Sequence, residues 1–278
     1  MTAFSSQQVL ALLVGILSLG FLSPILILVA YIVLGHAHFL LAYYYKFKAG
    51  KINKKHLLPY LLLAVFVFSL PTFLSMESIL LIIAILFGTH FFFDEARLLE
   101  GEVEKVSLSL SVPAIITFVG LVAYTETSYD FMLPAILVSV AIIVWSLAST
   151  GIRNLFLPHV LYLNLFTLLF SLIYIFGIEI SGEAVFGSII LMHITTWYVF
   201  YYKKLKSAPK RLVQFIVDCV VINALFIILY FVFMSQGEGS IGQYVFSPIY
   251  YYCWAILHIV TSSGELFALV KERSLRLF

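Results

Sequence analysis

Five of the seven histidines stand inside strongly apolar stretches: His36, His38, His90, His193 and His258. Polar groups are costly in hydrocarbon, so an ionisable residue within an apolar span marks a functional site by default. Neutral imidazole is a ligand for iron, copper, zinc or nickel, and facing helices of a bundle are a familiar way to gather such ligands. In "LFGTHFFFDEARLL" (86–99), Asp94 follows His90 by four residues and shares its helix face. A carboxylate so placed can take the distal N–H of a ligating imidazole, fixing its tautomer and basicity. Glu95 follows directly, and Asp218 reaches a similar depth on another span. The plainer role of Asp94 and Glu95 is to meet water or to pair with Arg97 at the membrane boundary. His36 and His38 point about 200° apart round a helix, so one can face a shared centre while the other packs elsewhere.

These side chains need elements to hold them, and composition says which kind. The chain is 63% hydrophobic and 11% charged, against about 25% charged in a soluble domain. Apolar runs recur along all 278 residues. They predict an all-α, polytopic transmembrane helix bundle forming one integral membrane domain over 1–278. Spans are expected near 25–45, 57–74, 78–96, 106–124, 131–148, 158–177, 184–202, 212–234 and 244–270. The shorter stretch 8–22, followed by Ser23-Pro24, reads either as a tenth span in a tight hairpin or as a re-entrant segment. The start, "MTAFSSQQVLALLVGILSLGFLSP", lacks the basic n-region of a cleaved signal peptide and reads as a retained first segment. Cys219 and Cys253 both lie in apolar segments, which supports neither a disulfide framework nor a cysteine metal site. A formal net charge of +2 points to no nucleic-acid partner. No protein partner is predicted, and the lipid bilayer is the expected surrounding.

All sixteen lysines and arginines fall in alternate loops, and the loops between them (71–77, 125–130, 178–183 and 235–243) have none. The basic loops mark the cytoplasmic side, which predicts a cytoplasmic C-terminus in a bacterial or archaeal plasma membrane. His36 and His38 precede Lys46 by ten and eight residues. His90 precedes Arg97 by seven, His193 precedes Lys203 by ten, and His258 precedes Lys271 by thirteen. At about 1.5 Å per residue, four spans running in one direction deliver imidazoles to one slab of the membrane. His56 and His159 sit at cytoplasmic helix ends and read as interfacial.

The segments "GHAHFLLAYYYKFKAGK" and "LMHITTWYVFYYKKLKSAPK" echo one another: histidine, aromatics, basic loop, then a return span and a further histidine. Two related halves round a shared centre would produce that pattern. The motif order "LGHAHFL" (34–40), "GTHFFFDE" (88–95), "LMHITTWYVFYYKKL" (191–205) and "AILHIVTSSGE" (255–265) resembles the Brp/Blh family of membrane β-carotene dioxygenases. The match rests on His36, His90, His193 and His258, with Glu95 at the family's acidic spacing. Gly35 and Leu40 replace a proline and an aspartate of the family pattern, and Trp197 stands where the third family segment has a second histidine.

The resemblance implies a non-haem Fe(II) oxygenase that cleaves β-carotene to retinal with O2. His36, His90, His193 and His258 would be metal ligands and catalytic groups, with His38 as a substitute ligand. His38, Asp94, Glu95 and Asp218 are candidates for the surrounding hydrogen bonds. Phe39, Phe91, Phe92, Trp197, Tyr198 and Trp254 are candidates to line a tunnel for the apolar polyene. A different class also fits a histidine layer: a transporter or proton-coupled channel. A bis-histidine haem protein of electron transfer is a third reading, and a structural role a fourth.

Overall fold

Serine and proline set the starts of the long helices. Ser23 Oγ accepts from the Leu26 N–H (3.3 Å) ahead of Pro24, and Ser181 Oγ accepts from the Ala184 N–H (3.2 Å). Proline is suited to a first helical position because its missing N–H would have no partner there. The computed structural model describes residues 6–21, 23–52, 54–98, 112–127, 130–150, 158–236 and 239–274. Among them lie α1 (Ser6–Phe21), α2 (Pro24–Lys48), α3 (Lys54–Ser69), α4 (Met76–Leu98), α5 (Val112–Glu126) and α6 (Met132–Thr150). They continue with α7 (Pro158–Ile175), α8 (Gly182–Leu205), α9 (Pro209–Met234), α10 (Ile241–Phe246) and α11 (Pro248–Ser274). No strand occurs among the described residues, so the fold is an all-α bundle.

Five segments are long and apolar enough to cross a membrane: Pro24–Lys48, Lys55–Thr72, Met132–Ser149, Gly182–Leu205 and Pro209–Met234. Gln7–Gly20, Met76–Phe92, Val112–Glu126 and Leu161–Ile175 are shorter apolar helices. This pattern is compatible with an integral membrane protein. Of the stretch 8–22, the residues up to Phe21 are helical and α1 packs on α8, while residue 22 lies outside the described residues. The expected span 244–270 is instead two helices. α10 stops at Phe246, and α11 begins at Pro248, with the Tyr251 N–H donating to Ser247 O (2.9 Å). Proline disfavours helical conformation at the residue before it, which places the break at Ser247. The expected span 57–74 likewise leaves α-helical geometry after Ser69, and Leu70–Thr72, around Pro71, form a 3-10 turn.

Helix α8 is the central post. Within its most apolar 18 residues 72% are buried, against 6% for α9, which therefore lies at the periphery. α8 packs against α1, α2, α4, α5 and α9. Its approach to α2 depends on Gly187, where a Cβ would collide with Ile27 and Tyr31. Gly35 does the same for α2 against α11, since a Cβ there would meet the ring and hydroxyl of Tyr251. Around this post a closed circuit forms: α2 packs on α8, α8 on α4, α4 on α11, and α11 back on α2.

Candidate metal centre

Each contact of that circuit carries a pair of imidazoles. His38 of α2 lies 5.4 Å, centroid to centroid, from His193 of α8 and 5.4 Å from His258 of α11. His90 of α4 lies 5.4 Å from His193 and 5.7 Å from His258. The four rings thus form a quadrilateral, with α2 and α4 at opposite corners and α8 and α11 at the others. His38, His193 and His258 are 4%, 3% and 4% exposed. The Nδ1 atoms of His38 and His258 are buried and make no hydrogen bond among the described residues. Buried ring nitrogens without a partner are expensive and call for a specific explanation.

The resemblance implied His36 for the first corner; the structure puts His38 there and sends His36 to the other side of α2. The Nδ1–H of His36 donates to Ile32 O (2.5 Å). Its ring stacks on Phe226 (5.6 Å) and meets Phe246, Tyr251 and Trp254 edge-on. The two-residue spacing is the cause, because it turns the two rings to opposite faces. A stripe at helical spacing, Ile27, Tyr31, His38 and Leu41, is buried throughout. That stripe was the sequence signal for His38, although the sequence alone did not say which stripe faces the centre.

Asp94 completes the donor set. Its Oδ2 is 3.4 Å from His90 Nε2. One donor atom each from His90, Asp94 and His193 fall within 4.8 Å of one another. A first-row metal with bonds of about 2.0–2.1 Å holds two donors about 3 Å apart when cis and about 4 Å when trans. The three groups would have to draw in from this spacing to hold one ion. Two imidazoles and a carboxylate are the donor set of non-haem Fe(II) oxygenases. His38 and His258 stand ready as additional nitrogen donors from the remaining corners.

The other residues singled out in the sequence divide into three groups. Phe39 stacks on His258 (4.7 Å), Phe91 meets His193 edge-on (5.8 Å) and Trp197 meets His38 edge-on (4.8 Å), so these three wall the imidazoles. Phe92 packs on Phe91 and Phe166, Tyr198 takes a hydrogen bond from Asn223 Nδ2 (2.8 Å), and Trp254 packs on Phe68 and His36. Asp218 turns to Tyr45, whose hydroxyl donates to its Oδ2 (2.8 Å), and to Gln214 Nε2 (2.6 Å). The side chain of Glu95 lies outside the described residues. A cleft between α1, α7 and α8, lined by Gly15, Phe166, Ser188 and Met192, has a volume of about 20 Å³, room for no more than a water.

Two polar contacts missed by sequence reading cover the centre on its basic side. Tyr43 shares a hydrogen bond with Thr261 (2.5 Å), and Lys46 Nζ donates to Ser262 Oγ (3.2 Å). Both join α2 to α11 one to two turns beyond His38 and His258. Their signal was the run of tyrosines and lysines after His38, which reads equally well as an interfacial belt.

The chain matches no protein-family model, no curated protein and no solved structure.

Proposed function

We propose that the chain is an integral membrane, non-haem iron oxygenase acting on a long apolar polyene of carotenoid type. The observation that carries this reading is the meeting of His38, His90, His193 and His258 from four helices with Asp94 beside His90. Fe(II), when bound, supplies the site at which O2 is activated. The chain's own residues would do the rest: His90, His193 and Asp94 would hold the metal, with His38 and His258 as further donors. Asp94 orients the His90 ring. Phe39, Phe91 and Trp197 exclude water and offer faces to a conjugated chain. By resemblance the substrate is β-carotene and the product retinal.

The test is bound metal, measured by elemental mass spectrometry on protein purified in mild detergent. Near-stoichiometric iron in the parent, lost in His90→Ala and His193→Ala without loss of folding, is the expected result, and carotenoid feeding with aldehyde detection follows it. A parent free of metal after anaerobic iron loading overturns the reading. The alternative is a transporter or proton-coupled channel. It is favoured by the 24% exposure of the Asp94 side chain beside a buried imidazole, an arrangement suited to handing over protons.

A further inference from the structure

Trp197 stands beside the histidine cluster at the head of a series of aromatic rings. Its indole stands edge-on to His38 at 4.8 Å and lies 4.6 Å from Tyr201 and 5.9 Å from Phe215. Phe215 stacks on Tyr201 (5.6 Å) and meets Tyr45 (6.0 Å). Trp197, Phe215 and Leu41 form their own buried cluster, separate from the main core, with Tyr45, Tyr198 and Tyr201 packed round it. Tyr45 is half-buried, and its hydroxyl donates to Asp218 Oδ2 at 2.8 Å. An unbroken series of rings thus leads from an imidazole of the centre to a phenol that already has a carboxylate in position to receive its proton.

We propose that Trp197 and Tyr45 form an electron relay that reduces the histidine centre when it is oxidised without substrate. This rests on the metal reading above. The oxidant is hydrogen peroxide, whose O–O bond breaks as it takes two electrons from the centre and two protons from water to give two waters; the relay returns one of those electrons. One electron passes from the Trp197 indole to the oxidised centre, and one electron from Tyr45 refills the indole. The Tyr45 O–H bond breaks, its proton goes to Asp218 Oδ2, and a neutral phenoxyl remains. The net change is one electron gained by the centre, one lost by Tyr45, and one proton moved 2.8 Å along an existing hydrogen bond. A water-soluble one-electron reductant of thiol or ascorbate type returns the electron to Tyr45, and Asp218 returns the proton. Oxidising a phenol without a base would leave a strongly acidic cation, so the carboxylate is what makes Tyr45 the terminus.

The experiment is rapid freezing of iron-loaded protein after hydrogen peroxide, with electron paramagnetic resonance and the iron content read on the same samples. The expected result is a tyrosyl radical in the parent whose signal shows a hydrogen-bonded oxygen. The signal falls to background in Trp197→Phe at equal iron content. In Tyr45→Phe it is replaced by an indole radical. Asp218→Asn keeps the rings in place and removes the base, so it too loses the tyrosyl signal. A tyrosyl signal of parental size in Trp197→Phe or Tyr45→Phe overturns the relay while leaving the metal centre intact. A parent that binds no iron removes the oxidant and fells the relay together with the metal reading.

Discussion

Asp94 Oδ2 stands 3.4 Å from His90 Nε2, one helical turn further along α4, and its side chain is 24% exposed where that of His90 is 11%. The pair sits at the rim of an otherwise sealed cluster, because His38, His193 and His258 are each under 5% exposed. Whatever the imidazoles bind, Asp94 is the donor with contact to the surroundings.

Asp94→Asn keeps the shape and removes the charge. Asp94 is itself a proposed donor, so its loss should weaken metal binding by at least the roughly 10–100-fold that follows loss of a mere hydrogen-bond partner of a ligating imidazole. Chelator competition on the purified variant should show a loss of at least that size, with His90 and His193 still present. An unchanged affinity would mean that Asp94 serves only the boundary.

His36 and His38 separate the family resemblance from the geometry. His38→Leu should lose metal, whereas His36→Leu should retain it at parental stoichiometry. The latter puts an apolar group in place of a ring packed among Phe226, Phe246 and Tyr251 and removes its hydrogen bond to Ile32 O, a bond worth about 0.5–1.5 kcal/mol. Elemental analysis and thermal unfolding in detergent read both effects. The reverse ranking would restore His36 to the centre.

Acid should release the metal. Imidazole and carboxylate ligate only when deprotonated, so binding competes with protons. Below the imidazole range the protonated forms win, and above it the metal does. Metal retained after dialysis should fall as pH is lowered and return on neutralisation and reloading. A flat profile would place the metal on other groups.

Packing offers a test independent of any metal. Gly187→Ala would drive a methyl into Ile27 and Tyr31, and overpacking of this kind costs about 1–3 kcal/mol. Gly20→Ala meets nothing within 4 Å, and an alanine there should stabilise α1 by roughly 0.5–1 kcal/mol. Thermal unfolding should therefore shift down for the first and not for the second.

The helices themselves were plain in the sequence because apolar runs of span length have few other uses. That the histidines stand at matching levels of their helices was equally legible, being a matter of counting from the nearest basic residue. Two things were not. The break at Ser247 follows from Pro248, yet the apolar run continues across it and hides the stop. The choice of His38 over His36 depends on which face of α2 meets α8, and that is decided by Gly187 and the packing of Tyr31, about 150 residues apart in the chain. Asp218 misled for a related reason. Its helix α9 lies at the periphery, and Asp218 meets Tyr45, about two turns beyond His38, rather than the imidazoles.

The four corners of the circuit come from positions 38, 90, 193 and 258. In the order of synthesis α2 and α4 emerge early, at opposite corners with no shared edge, and α8 joins them about a hundred residues later. α11, which touches both α2 and α4, arrives after all of these. The cluster is thus a property of the finished bundle: a nascent chain halted anywhere before α11 lacks one of its four imidazoles.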